Sequence, residues 1–184
     1  MSRFLIASDI HGDAECAERL LCRYRESGAE RLIILGDILY HGPRNDLPSG
    51  YDPKRVIELL NAVSDELLCV RGNCDTEVDA MVLNFPILAD YAYISDGAVR
   101  IFATHGHKFN LESLPPLKKG DILLHGHTHV STAAPFGNGN VYINPGSVSI
   151  PKGGTPSGYI IYENGIFDFY TLDGECYRKE KIAK

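Results

Sequence analysis

A length of 184 residues, a hydrophobic fraction of 44% and a net charge of −6 predict one ordinary globular domain spanning residues 1–184. This acidic balance argues against a long nucleic-acid partner, which needs clustered Lys and Arg, but a small anionic substrate still suits a locally positive site. The N-terminus does not resemble a signal peptide, no apolar run reaches 18 residues and the five cysteines form no CxxC pair, so we expect free thiols, a cytoplasmic setting and no membrane partner.

Short aliphatic runs recur along the chain, and each ends in Gly or a small polar residue, as buried strands do. In chain order they cover residues 3–8, 31–36, 66–72, 99–104 and 121–126. Helical spacing of apolar residues predicts a helix across 13–29 that ends at Gly28, and a second across 52–66 that begins at Asp52-Pro53. The order β-α-β-α-β favours a largely parallel first sheet.

The second half of the chain is predicted to form hairpins. Turn signals at Asp96-Gly97, Asn164-Gly165 and Asp173-Gly174 separate short apolar segments. They indicate a second, mostly antiparallel sheet packed on the first with helices outside, which is an α/β sandwich. The final segment, residues 177–184, is predicted to be a solvated and frayed tail.

Metal-binding side chains follow all five apolar runs at their C-terminal ends, the edge of an α/β sheet where ligands bind. Imidazole, carboxylate and amide oxygen suit Mn, Fe or Zn. One four-coordinate ion cannot use seven such ligands, but two ions that share a carboxylate can. Two divalent ions, two carboxylates and a bridging hydroxide leave a net charge of about +1, which attracts a phosphate ester. The seven candidates are Asp9, His11, Asp37, Asn73, His105, His127 and His129.

Five motifs in order carry a family resemblance. D-x-H (9–11), G-D (36–37), G-N (72–73), H-G-H (105–107) and G-H-T-H (126–129) resemble the calcineurin-like metallophosphoesterases, and more closely the YfcE-type bacterial phosphodiesterases. The resemblance extends from about residue 3 to about residue 172. It implies a four-layer αββα sandwich with two mixed sheets flanked by helices. It also implies a phosphoric diester hydrolase, in which a metal-activated hydroxide attacks a small phosphodiester at a dinuclear site.

The resemblance also implies how the ligands divide between two divalent ions. Asp9, His11 and His129 would hold one ion, Asn73, His105 and His127 the other, and Asp37 both. Manganese is the preferred metal, with Zn, Fe or Ni compatible. His125, which precedes the Gly126 turn, is expected to support the site or to pack.

One position departs from the wider superfamily, in which a His that assists the leaving group commonly follows the Asn. Here Asn73 is followed by Cys74 and Asp75, as in the YfcE-type subgroup. Beside cations the thiol should become a thiolate, so we expect weak general-acid help and a preference for good leaving groups. The candidate catalytic residues are Cys74, His107 and Asp75, the last by orienting a neighbour. Arg44, in the loop 38–51, is the candidate substrate-binding residue because a guanidinium can grip a phosphodiester oxygen bidentately.

Two alternatives remain open at this stage. The enzyme could be a phosphomonoesterase or a cyclic-nucleotide phosphodiesterase. The chain could instead be a non-catalytic scaffold, as is the retromer subunit that it also resembles, although scaffolds on this fold tend to lose ligands and all seven positions are filled here. The expected partner is a small phosphodiester, and a homo-oligomer is compatible with the sequence.

Overall fold

Eleven strands and two α-helices make up the fold within residues 2–182, the part of the chain that the computed structural model describes. In chain order they are β1 (Arg3–Ala7), α1 (Ala14–Ser27), β2 (Arg31–Ile34), α2 (Pro53–Asn61), β3 (Leu67–Cys69), β4 (Tyr91–Asp96), β5 (Val99–Thr104), β6 (Ile122–Leu124), β7 (Thr132–Phe136), β8 (Asn140–Asn144), β9 (Gly158–Glu163), β10 (Ile166–Thr171) and β11 (Cys176–Lys181). Short 3-10 turns cover Ser64–Glu66 and Asp79–Met81.

Both sheets are mixed, which confirms the predicted fold class but corrects the predicted strand directions. The first sheet has the order β11-β10-β9-β1-β2-β3, in which β1, β2 and β3 are parallel and β9, β10 and β11 are antiparallel. The second sheet has the order β4-β5-β6-β8-β7, in which the pairs β5/β6 and β6/β8 are parallel. The short turn at Asn164-Gly165 joins β9 and β10 as antiparallel neighbours, because a turn of this length cannot connect parallel strands. Strand β9 pairs with β1, so the C-terminal strands extend the first sheet and not the second.

The two faces of the first sheet are buried by different partners. Along β1 the side chains alternate, with Leu5 and Ala7 in the cluster beneath the helices and Ile6 in the cluster between the sheets. Burial on both faces explains why the strand reads as a continuous apolar run. Within residues 2–182 the helices cover only the first sheet, so the fourth layer of the expected αββα sandwich is formed instead by the irregular segment 105–121, with the Phe109 ring 5.6 Å from the Phe102 ring.

The predicted starts of both helices and the end of α1 are confirmed, whereas α2 ends at Asn61 and a separate 3-10 turn covers Ser64–Glu66 within the range predicted as helix. Asp13 caps α1 by accepting a hydrogen bond from the backbone N–H of Cys16, and Gly28 ends the helix in the left-handed conformation at φ 66°. Asp52 caps α2, with Pro53 in its first turn. The structure therefore places the loops that follow β1 and β2 at well-defined helix starts.

One expectation about local structure was wrong, and one strand was not predicted. Residues 177–181 are not a frayed tail but belong to β11, which pairs with β10; residues 183–184 lie outside the described range. Strand β7 was not predicted because it contains Pro135, which only an edge strand such as β7 tolerates. All five cysteines have free thiols, as predicted. No helix within the described residues is long and apolar enough to cross a membrane.

Candidate metal centre

The seven candidate ligands converge where the parallel strands of both sheets end. Asp9 and His11 follow β1, Asp37 follows β2 and Asn73 follows β3, while His105 follows β5 and His127 and His129 follow β6. Parallel strands end side by side at one edge of their sheet, and the two sheets are packed face to face, so loops distant in sequence meet at a common rim.

The first group of donors consists of Asp9, His11 and His129. The His11 Nε2 and His129 Nε2 atoms are 3.1 Å apart, and they lie 3.5 Å and 3.3 Å from Asp9 Oδ1. All three side chains are buried. Their ligand atoms thus surround one small space, as three donors to one ion would.

The second group is centred on His105. Its Nε2 atom lies 3.0 Å from Asn73 Oδ1, 3.2 Å from His127 Nδ1 and 3.4 Å from Asp37 Oδ2. The same Asp37 Oδ2 atom is 3.8 Å from His11 Nε2 in the first group. Asp37 therefore stands between the two groups, in the position that a shared carboxylate requires.

The hydrogen bonds of the imidazoles test whether these residues suit metal ions. The Nδ1 atoms of His11, His105 and His129 lie 2.7–2.8 Å from the carbonyl oxygens of Tyr40, Leu35 and Ile150. A carbonyl can only accept, so each Nδ1 carries the proton and each Nε2 lone pair points into the site.

Some of the inward-facing ligand atoms lack a suitable partner among the described residues. Asp9 Oδ1 is buried without a hydrogen-bond partner, and two Nε2 lone pairs 3.1 Å apart repel unless a proton or a cation lies between them. Donors about 2.0–2.2 Å from a common ion stand roughly 3–3.6 Å apart, which matches most of the separations above. The donor set therefore fits divalent cations.

Electrostatics in the metal-free site show the same demand for positive charge. Burial disfavours charge on every group, yet the adjacent imidazoles of His11, His129 and His105 hold the pKa of Asp9 well below its ordinary value. Burial alone would lower the pKa of His105, but Asp37 and Asp9 raise it to about 9. The imidazole therefore takes up a proton where no metal is bound, and a metal must displace that proton.

Backbone strain is concentrated at the same positions. Five of the seven candidate ligands have a positive φ: Asp9, His11, Asp37, His127 and His129, with values of 52–65°. Asn164 is the one other non-glycine residue with this conformation in the described part of the chain. The left-handed conformation costs about 1–2 kcal/mol per residue and persists at sites where neighbouring structure enforces it.

The turn formed by residues 144–149 helps to hold the ligand loops in this left-handed conformation. The hydroxyls of Ser147 and Ser149 donate to the Asp9 carbonyl at 2.8 Å and 3.1 Å. The Asn144 amide donates to the Gly126 carbonyl at 2.9 Å and to Thr128 Oγ1 at 3.0 Å, which holds the loop carrying His127 and His129. No chemical role is predicted for this turn from sequence, and its role here is support.

Asp75, a predicted catalytic residue, is buried away from the donors and holds their backbone. Its Oδ2 atom accepts the N–H groups of Asp37 at 2.9 Å and Gly72 at 2.7 Å, and its Oδ1 atom accepts that of Ile38 at 2.9 Å. The carboxylate thereby fastens the loop after β3 to the loop after β2. This arrangement matches the predicted orienting role and favours positioning over contact with substrate.

Cys74 lies at the border of the centre. Its Sγ atom is within 4.8 Å of ligand atoms of His11 and Asp37, and it accepts a hydrogen bond of 3.2 Å from Asn73 Nδ2. That bond turns the Asn73 amide so that its oxygen faces His105. Burial and the Asp37 carboxylate raise the pKa of the Cys74 thiol, so the protein alone favours the protonated form rather than the expected thiolate.

His107 and His125 lie outside the donor set. Burial and the neighbouring His105 lower the pKa of His107 to about 4, so this imidazole is neutral at pH 7 and a poor general acid. This observation weighs against the acid role predicted for it. The His125 ring packs on Tyr142 at 4.5 Å, in keeping with its predicted packing role.

A cleft of about 330 Å³ opens onto the donors. Arg44 lines it, as a substrate-binding residue should. Lys152 and Asn45 line it as well, although neither is predicted from sequence; only a polar loop at 152–154 and the Asn after Arg44 hint at them. The complete lining is Asp37, Arg44, Asn45, Asn73, His127, Thr128, His129 and Lys152.

Comparison with known proteins identifies relatives along most of the chain. The family model described as the calcineurin-like phosphoesterase superfamily domain matches residues 2–164. Phosphodiesterase YfcE of Escherichia coli K12 is 47% identical over 175 residues, which cover 95% of each chain. The probable metallophosphoesterase YsnB of Bacillus subtilis is 24% identical over 155 residues, which cover 80% of this chain and 76% of that protein.

Solved structures extend the comparison to the fold. The structure of YfcE, described as a phosphoesterase from E. coli, has a TM-score of 0.94 at 46% identity and covers 98% of this chain and 100% of its own. Vacuolar protein sorting 29 from Cryptosporidium parvum has a TM-score of 0.64 at 17% identity, covering 100% and 98%. The second likeness shows the fold alone.

Proposed function

The chain belongs to the calcineurin-like phosphoesterase superfamily, and we propose that it is a dinuclear, metal-dependent phosphodiesterase that acts on small diesters. One observation carries the proposal. Seven donors from five strand ends face one another at 3.0–3.8 Å, the Nε2 lone pairs of His11, His105 and His129 are directed inward, and the cleft above them is lined by Arg44 and Lys152. That combination of cation-binding donors and free positive charge suits a phosphate ester.

The proposed ligands divide as their distances suggest. Asp9, His11 and His129 would hold one ion, Asn73, His105 and His127 the other, and Asp37 both. When bound, two divalent ions would polarise the phosphoryl oxygens and lower the pKa of a bound water molecule. Manganese is the proposed metal, and the same imidazole, carboxylate and amide oxygen donors are also compatible with Zn, Fe or Ni.

The residues of the cleft would bind and orient the substrate. Arg44 is exposed in the loop 38–51 on the wall of the cleft, where its guanidinium would hold a non-bridging oxygen and align the ester for in-line displacement. His127 N–H donates to Asp9 Oδ2 at 3.0 Å, and Cys74 N–H donates to Asp37 Oδ1 at 2.8 Å. These bonds fix both carboxylates before substrate arrives.

Protonation of the leaving group would be the weak step. His107 is neutral at pH 7, and the Cys74 thiol is the remaining candidate donor near the centre. A thiol with a raised pKa gives up its proton reluctantly. We therefore propose that esters of acidic alcohols are the favoured substrates. A cytoplasmic setting, which keeps the free thiols reduced, belongs to the same proposal.

The proposal is tested by removing metal and reloading the protein with Mn, Zn, Ni or Fe. Bis(p-nitrophenyl) phosphate and p-nitrophenyl phosphate share one alcohol, so their rates compare a diester with a monoester directly. We expect metal-dependent hydrolysis that favours the diester, is lost in Asp9→Asn and persists in Asp65→Asn, an exposed carboxylate outside the centre. Faster hydrolysis of the monoester would reverse the assignment, and a protein that binds metal but hydrolyses neither ester would favour the scaffold alternative.

A further inference from the structure

Two cations on the wall of the cleft have no acidic partner. Arg44 and Lys152 both line the space above Asp37, Asn73, His127 and His129. Among residues 2–182, no carboxylate lies within 4.0 Å of the charged nitrogens of either side chain. Nine other lysine and arginine side chains within residues 2–182 form ion pairs, among them Arg71, Arg100 and Lys108. In a chain with a net charge of −6, two unpaired cations on the wall of one cleft leave positive charge available to an anionic substrate.

Lys152 is anchored to the metal centre at its backbone. Its N–H donates to the carbonyl of His129 at 2.9 Å, and Ile150, two residues before it, accepts the Nδ1 proton of the same His129 at 2.7 Å. The Cα atom of Lys152 is therefore held at a constant place relative to a candidate ligand, and its side chain extends from there.

The ammonium group of Lys152 is held by the loop 38–51. Its Nζ atom donates to Asn45 Oδ1 at 3.0 Å, and Asn45 Nδ2 donates to the carbonyl of His41 at 2.8 Å. Asn45 adjoins Arg44, so the ammonium lies beside the loop that carries the guanidinium. An ammonium has three N–H donors and the described residues accept from one of them, which leaves donors for a ligand.

The charge of the cleft exceeds what a simple diester can balance. Two divalent ions, the Asp9 and Asp37 carboxylates and a bound hydroxide leave about +1, which the single charge of a diester neutralises. Arg44 and Lys152 add two positive charges to this balance. A phosphate monoester carries about −1.5 to −2 at pH 7 and would balance them.

We propose that Lys152 binds a second phosphate group of the substrate, so that the preferred substrates are phosphodiesters that also carry a phosphate monoester, as a phosphorylated nucleotide diester does. This inference rests on the proposed phosphodiesterase function. Lys152 is a specificity-determining residue in this account, while Arg44 holds the scissile phosphate.

Two nucleotide esters that differ by one phosphate test the proposal. Thymidine 5′-(p-nitrophenyl phosphate) and its 3′-phosphorylated form share the nucleoside and the leaving group. With Mn-loaded protein at low salt, we expect the 3′-phosphate to raise kcat/KM about tenfold or more, as a charged hydrogen bond does. Lys152→Met should remove most of this advantage and Lys152→Arg should retain it. Lys181→Met, which removes an exposed lysine of β11, should retain it as well.

The outcomes separate this inference from the proposed function. If the 3′-phosphate gives no advantage in the unmodified protein, or if Lys152→Met slows both esters equally because Lys152 only joins two loops, the inference is overturned. Calorimetric titration of Mn-loaded protein with thymidine 3′,5′-bisphosphate and thymidine 5′-monophosphate tests the same site without hydrolysis. Tighter, Lys152-dependent binding of the bisphosphate by a protein that hydrolyses neither ester would support the site and contradict the phosphodiesterase function.

Discussion

Replacing Asp75 with Asn should destabilise the protein and weaken metal binding without removing a catalytic group. The buried carboxylate accepts three backbone N–H groups with its two oxygens. An amide has one oxygen, so it keeps at most the bonds to Asp37 and Gly72 and turns an NH₂ group toward the N–H of Ile38. The lost charge-assisted bond and the opposed donors together cost about 2–4 kcal/mol. At roughly 2–4 °C per kcal/mol for a chain of this size, Tm should fall by about 5–15 °C.

Thermal unfolding and Mn²⁺ titration measure the two effects of Asp75→Asn separately. Because the loop bearing Asp37 loses an anchor, the metal affinity should fall about 10- to 100-fold, while kcat at saturating Mn²⁺ should return close to that of the unmodified protein. Asp65→Asn, at an exposed position, should shift Tm by no more than about 2 °C. Normal stability and metal affinity with a kcat lowered tenfold would refute this reasoning, because Asp75 would then act on the reacting atoms.

Three further predictions concern the centre itself. Replacing Cys74 with His should raise turnover of a diester with an alkyl leaving group at least about tenfold, because the new imidazole can protonate the departing oxygen; an unchanged rate contradicts this. Gly126→Ala would place a Cβ atom 2.6 Å from Asp9 Oδ2, so Mn²⁺ affinity should fall, and a titration that matches the unmodified protein would show that the loop can yield. The pKa of His105 is raised to about 9 in the metal-free protein, so its ion pairing stabilises that form below about pH 6.5 and is lost as pH rises through 9. Metal binds the neutral imidazole, so the gain in Tm on adding Mn²⁺ should grow from pH 6.5 to pH 9, and a gain that shrinks over this range would contradict the assigned titration.

The positions of the candidate ligands could be predicted because each follows an apolar run. His105 stands directly after β5 and Asp37 three residues after the end of β2, and the C-terminal edge of such buried strands is where an α/β sheet binds ligands. The pairing of the strands was harder to predict because it depends on which edge accepts a hairpin. The sequence patterns of β9 and β10 are compatible with either sheet. Only the pairing of β9 with β1 in the folded protein places them in the first sheet.

The supporting residues could not be predicted because their roles depend on tertiary contacts. Ser147 and Ser149 resemble ordinary turn residues until the fold places their hydroxyls on the Asp9 carbonyl. In the sequence, Lys152 resembles a solvated loop charge. Its place at the cleft is visible only in the fold, where its ammonium donates a hydrogen bond to Asn45, more than 100 positions earlier. Asp75 follows the G-N motif in sequence, but its contact with the backbone N–H of Asp37 shows that it anchors the loop bearing Asp37.

Anomalous diffraction from crystals grown with Mn²⁺ tests the central claim most directly. We expect two peaks per chain, about 3.5–4 Å apart, with Asp37 bound to both, Asp9, His11 and His129 around one and Asn73, His105 and His127 around the other. A single peak, or two peaks that do not share Asp37, would contradict the dinuclear centre.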